Sequence, residues 1–160
     1  MRRGGLVAAL VGLAAGAGCG YAVGSGATRL PAGAERIFVP PLDNRTADAE
    51  AGALVAAALR EELSRRGAAG GEGASARIEG TVTRSASSPL TTQSGTWRLV
   101  FEVEARLTVN GQESARIKVR RDVDYLGEVD AIATEGRRRN AIRRAAKDAA
   151  LEIVERLETP

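Results

Sequence analysis

The chain has 160 residues, with 23 Lys and Arg against 20 Asp and Glu, one Cys, no His and 3% aromatic residues. That length suits one modest domain plus a leader. The missing imidazoles exclude zinc sites of His/Cys type and both Ser/His/Asp and Cys/His catalysis, so no metal, cofactor or catalytic site is expected.

The N-terminus places Arg2 and Arg3 before an apolar run, residues 6–15, and then the small residues Gly16, Ala17 and Gly18. This is the order of a secretory signal. Glycine interrupts the run, and a membrane span needs about 20 apolar residues, so export followed by cleavage fits better than spanning. The small residues directly before Cys19 resemble a bacterial lipobox, in which the thiol is diacylated, the leader is cut before it and the freed amine is acylated. Gly16 stands where that pattern favours Leu. The alternative is an ordinary leader with an incidental Cys; against it, no second Cys offers a disulfide and export exposes a free thiol to oxidation. The expected organisation is a signal peptide over residues 1–18, a lipidated tether over 19–35 and a single domain over 36–160. Losing Arg2 and Arg3 cuts the basic excess from three to one, which argues against nucleic acid as the partner.

Beyond the Gly- and Ala-rich tether, "RIFVPPLDNRT" supplies a short strand, residues 37–39, which Pro40 and Pro41 stop or push to a sheet edge. A turn or loop through Asp43 and Asn44 is expected next. Over residues 49–66, Ala51, Val55, Ala58, Leu59 and Leu63 recur at helical spacing, and Gly67 is a natural stop. "ARIEGTVTR" alternates as a short, half-buried strand, with Ile78, Gly80 and Val82 on one face. "SASSPLTTQSG", residues 85–95, has the composition of a mobile loop.

The strongest pattern is "WRLVFEVEARLTVNGQESARIKVRRDVDY", two period-two runs around a turn. Trp97, Leu99, Phe101, Val103, Ala105 and Leu107 share one face of the first; Ala115, Ile117, Val119, Val123 and Tyr125 share one face of the second. A two-residue Asn110-Gly111 turn sets inward residues against outward ones unless a bulge intervenes. A three-residue loop over 109–111 repairs the faces, placing Val103 against Ile117 and Phe101 against Val119. It also sets Glu104 opposite Arg116, Glu102 opposite Lys118 and Arg98 opposite Asp122, whereas the other three-residue register opposes Arg106 to Arg116; the first is therefore expected. The last segment, residues 130–157, carries Ile142, Ala146, Ala149, Ile153 and Leu157 at helical spacing. The fold class is α+β, with two helices on one face of a four-stranded mixed sheet in the order β-α-β-β-β-α.

The acidic pairs Glu61/Glu62 and Glu102/Glu104 fall on expected solvent faces beside basic residues, where solvated ion pairs are the ordinary outcome. Two basic constellations stand out. Arg116, Lys118 and Arg120 line one strand face, with Arg120 lacking an obvious acidic mate, while Arg137, Arg138, Arg139, Arg143, Arg144 and Lys147 crowd the second helix. Either suits phosphate or carboxylate groups; the helix face also reads as a soluble surface.

"CGY", "LPAGAERIFVPPLDNRT" leading into "LVAAALREELSRRG", then "ARIEGTVTR" and "NAIRRAAKDAALEIVERL" resemble, in order and spacing, the LptE family of lipopolysaccharide-assembly lipoproteins. The resemblance implies a noncatalytic outer-membrane lipoprotein on the periplasmic side that plugs a large LptD-type β-barrel, helps it assemble and assists lipopolysaccharide to the outer leaflet. Lipid A phosphates would then meet Arg116, Lys118 and Arg120 as candidate lipopolysaccharide-binding residues, with Cys19 as the lipidation site. The alternative is a structural envelope lipoprotein that scaffolds peptidoglycan or a secretion complex.

Overall fold

In the computed structural model, residues 30–90, 95–127 and 129–158 are described; Cys19, the signal peptide and most of the tether lie outside them. The elements are β1 (Ile37–Phe38), β2 (Asp43–Asn44), α1 (Ala51–Arg65), β3 (Ala76–Pro89), β4 (Thr96–Val109), β5 (Gln112–Leu126) and α2 (Ala131–Glu158). The sheet runs β1-β3-β4-β5, with β2 also pairing with β3. It is mixed: β1 and β2 lie parallel to β3, and β3, β4 and β5 form an antiparallel meander. The α+β class and the element order are as expected, with the short β2 added.

Pro40 and Pro41 split the first strand rather than end it. The chain resumes along the same neighbour, aligning Asp43 with Thr81 and Asn44 with Val82, so the expected turn through Asp43 and Asn44 is a strand. The turn begins one residue later: Asn44 Oδ1 accepts from the Thr46 amide and hydroxyl, and Asn44 Nδ2 donates to Asp48 O at 2.7 Å. α1 then buries Ala51, Val55, Ala58, Leu59 and Leu63, the face read from their spacing. Its start presses on the preceding segment at Gly52, where a Cβ would overlap Leu42 O. At its end, Gly67 has φ +70°, and the Ala68 amide donates back to Leu63 O at 2.8 Å.

Two readings of the sheet need correction. Ser85–Pro89 is not a loop: β3 continues through it, from Ser85 opposite Phe101 to Pro89 opposite Trp97. Its turn-like composition is overridden by the long apolar partner strand, because strand formation depends chiefly on cross-strand context. The β4–β5 connection is a two-residue turn, not three. Asn110 and Gly111 take φ +51° and +81°, the positive pair a tight hairpin demands, and Val109 pairs with Gln112. A bulge at Ser114 then restores the faces, shifting the register so that Leu107 meets Ala115 and Val103 meets Val119. Arg106 does sit opposite Arg116. The repulsion that argued against this register is absorbed, because Arg106 bonds Glu79 at 2.7 Å and Arg116 bonds Glu113 at 2.8 Å.

The core lies between the sheet and both helices. Ile78, Val82, Leu99, Phe101, Val103 and Leu107 face Val55, Leu59 and Leu63 of α1 and Ile142, Ile153 and Leu157 of α2, all buried. Each large side chain so buried contributes about 1.5–3 kcal/mol. Alanines on α1 (Ala51, Ala56) and α2 (Ala141, Ala145, Ala149) are also fully buried, which lets the helices close on each other. Asp130 caps α2, its Oδ1 accepting from the Ile132 amide at 2.9 Å. No helix among the described residues is long and apolar enough to cross a membrane.

Candidate functional site

With the helices on one side, the other side of the β3–β5 meander is open, and most of the outward residues at the centre of β4 and β5 are charged. Arg116, Lys118 and Arg120 stand in one exposed line on β5, as their alternation requires. Each has a carboxylate partner. Lys118 bonds Glu104 at 2.8 Å, Arg116 bonds Glu113 at 2.8 Å, and Arg120 reaches both Asp122 at 3.1 Å and Glu102 at 3.4 Å. Arg120 is therefore not the lone cation expected, since Glu102 lies directly opposite it in the bulged register. The expected cross-strand pairs Glu104–Arg116, Glu102–Lys118 and Arg98–Asp122 are all moved two residues along β5. Arg98 accordingly holds Asp124, at 2.8 Å and 3.0 Å.

These contacts set the local electrostatics. The hydrogen bond and charge of Lys118 hold the Glu104 carboxyl below the usual carboxylate range. Arg116 does the same to Glu113, and Arg98 to Asp124. All three carboxylates lie in solvent, where such pairs exchange readily with water and with competing anions.

Beside the stripe, a groove of about 610 Å³ opens between the Pro40-Pro41 crossing and the sheet. Arg45, Arg77, Arg106 and Arg116 reach it from four segments, interleaved with Asp43, Glu79 and Glu104. Of these arginines only Arg116 was singled out from sequence. Arg77 and Arg106 carried the same signal, an outward place in an alternating strand; Arg45 carried none, because β2 was not anticipated.

The basic face of α2 is partly structural. Arg138 clamps Asp48 at 2.6 Å and 2.7 Å, tying α2 to the loop before α1. Burial is the largest single influence on its pKa and pulls it down, but the hydrogen bond to Asp48 and the charges of Asp48 and Glu135 together outweigh this and leave it raised. Arg139 bonds Glu135 at 3.0 Å, and Arg144 reaches round to Asp124 O at 3.4 Å. Arg139 and Arg143 flank a smaller cavity of about 330 Å³ between the start of α1 and α2.

Among the carboxylates, Glu62 departs from its expected solvent position. It is 4% exposed and is held by Arg65 and, at 2.7 Å, by Arg66, which also bonds Glu158 at the end of α2. It is a tie between helix ends, with Glu61 on the exposed side of α1. Among the described residues no group of three or more potential ligands is placed to hold a metal.

A family model described as "LptE: Lipopolysaccharide-assembly" matches residues 34–157. The chain belongs to the LptE family. Its match spans the whole sheet and both helices, stopping one residue short of the end of α2. No curated protein matches at a significant level. Among solved structures, a lipoprotein from Caulobacter crescentus CB15 is 22% identical with a TM-score of 0.62, covering 79% of this chain and 91% of that one. The rare lipoprotein B from Shewanella oneidensis is 18% identical with a TM-score of 0.52, covering 75% and 92%. PelC from Paraburkholderia phytofirmans, a dodecamer, is 17% identical with a TM-score of 0.56, covering 81% and 90%. At these identities the likenesses establish the shared fold.

Proposed function

We propose that this LptE-family chain is a noncatalytic lipoprotein, anchored through Cys19 on the periplasmic side of the outer membrane, that plugs an LptD-type β-barrel. In this role it helps the barrel assemble and assists lipopolysaccharide to the outer leaflet. The proposed domain plan is a signal peptide over residues 1–18, a lipidated tether over 19–35 and a folded domain over 36–160. The observation that carries the reading is the family match over residues 34–157.

Arg116, Lys118 and Arg120 are the proposed contacts for the lipid A phosphates. The open sheet face supports this assignment, since its cations sit in exposed pairs that a more highly charged anion displaces. Guanidinium groups favour the exchange because they bind phosphate bidentately. The carboxylate partners keep the empty face nearly neutral, so it does not collect anions indiscriminately.

Crosslinking in cells, with mass-spectrometric identification of the partner, tests the plug: recovery of a large β-barrel supports it, and recovery of cell-wall components alone overturns it. For the stripe, R116A/K118A/R120A is expected to weaken saturable, salt-sensitive lipopolysaccharide binding by the full chain. Unchanged affinity refutes the residue assignment.

A further inference from the structure

β5 is fifteen residues long and, among the described residues, pairs with β4 alone. Its other edge therefore carries backbone groups with no strand beside them. Backbone groups alternate sides along a strand, so Lys118, Arg120, Asp122 and Asp124 present theirs on one edge.

Two carbonyls of this set are occupied from the helix layer. Arg156 Nη1 donates to Lys118 O at 3.0 Å, and Arg144 Nη2 donates to Asp124 O at 3.4 Å. The spacing matches: twelve residues of helix rise about 18 Å and six residues of strand about 20 Å, so one straight helix delivers both side chains to one edge. Arg156 is steadied by Glu152, which also holds Arg121 of β5 at 2.5 Å. Between the two clamps, the edge groups of Arg120 and Asp122 face outward.

The same stretch is self-complementary. A second β5 laid antiparallel, with the two-fold axis between the two copies of Arg121, sets Arg120 opposite Asp122 and Lys118 opposite Asp124 of the second copy. Each pair occurs twice. On the other face Val119 meets Val123 and Ile117 meets Tyr125, while each Arg121 keeps its own Glu152. A slip of two residues either way opposes Arg120 to itself or Asp122 to itself.

We infer that the free edge of β5 is a strand-pairing site for a second copy of this chain, held closed by Arg144 and Arg156. The inference concerns the chain before it meets any partner and stands apart from the proposed function.

The test uses the full chain in detergent, with sedimentation for its mass and amide exchange at Arg120 and Asp122. Wild type is expected to be a monomer with fast exchange at these two amides. R144A/R156A is expected to lower the dimer Kd by about tenfold or more and to protect both amides. Adding Asp122→Arg sets Arg opposite Arg120 and returns the monomer; adding Arg120→Asp as well restores the dimer. A folded, monomeric R144A/R156A overturns the inference, as does a dimer indifferent to Asp122→Arg. Protection that appears only when a β-barrel is co-expressed, without self-association, also overturns it by making the barrel the occupant. Should the double variant not fold, Arg156→Gln alone frees the Lys118 carbonyl and is read in the same way.

Discussion

Replacing Gly52 by alanine should destabilise the domain, although the same change elsewhere in a helix stabilises it. A Cβ at Gly52 would fall inside contact distance of Leu42 O, and within 3.2 Å of Leu42 C and 3.4 Å of Asp43 O. All three atoms are backbone, so no side chain can swing aside; α1 or the Leu42–Asp43 segment must move by about 1 Å. Overpacking of this kind costs about 1–3 kcal/mol, while removing a helical glycine returns at most about 1 kcal/mol. The expected net loss is about 1–2 kcal/mol, or a fall in Tm of about 4–8 °C for a domain of this size. Gly136, in the exposed first half of α2, is the control: a Cβ there meets nothing within 4 Å, so Gly136→Ala should gain about 0.5–1 kcal/mol. Urea unfolding followed by circular dichroism reads both. A Gly52→Ala protein as stable as wild type, or one that gains with Gly136→Ala, refutes the close approach of α1 to the strand before it.

The Asp48–Arg138 clamp, with side chains 13% and 24% exposed, lies between the surface and buried regimes. A double-mutant cycle should give a coupling of about 1–2 kcal/mol, and Asp48→Ala alone should cost more than the double change; zero coupling shows the pair to be incidental. Acid should destabilise the domain through Glu104, Glu113 and Asp124, whose folded-state values are depressed by Lys118, Arg116 and Arg98. Their contribution is complete above the unfolded carboxylate value and is lost as pH falls through the lower folded one, so stability should be flat from about pH 8 to 5 and decline below about pH 4. E104A/E113A/D124A should blunt that decline, and an identical acid limb in the variant contradicts the assignment. Gly111→Ala, at φ +81°, should cost about 1 kcal/mol or more by straining the turn, and a neutral effect would argue for a different connection between β4 and β5.

The helices and the inward faces of the strands were legible because each rests on a local period: Val55, Leu59 and Leu63, or Phe101, Val103 and Ala105, have no second way to be buried together. What was not legible depends on a third element. The hairpin register turned on Arg106 facing Arg116, and the charge that makes this tolerable, Glu79, comes from β3 rather than from either strand of the hairpin. Ser85–Pro89 looked like loop because its own residues do not favour a strand; the pairing is imposed by Trp97–Phe101 across the ladder. In the candidate site, the stripe of Arg116, Lys118 and Arg120 followed from alternation alone. Arg45 and the roles of Arg138, Arg144 and Arg156 follow from tertiary contacts that no spacing encodes.

A pull on the chain upstream would reach the two-residue β1 once Leu30 and Ala34, packed on the core, had come away. Ile37 donates to Ala68 O and accepts from the Gly70 amide, each at 2.8 Å, and lies in register with Ala76. Because β1 runs parallel to β3, tension on the chain upstream acts along the strand axis. Bonds set crosswise to that axis are sheared together instead of peeled one by one. A pull on the chain before β1 would therefore load this short joint in shear, ahead of the long β3–β4–β5 ladders behind it.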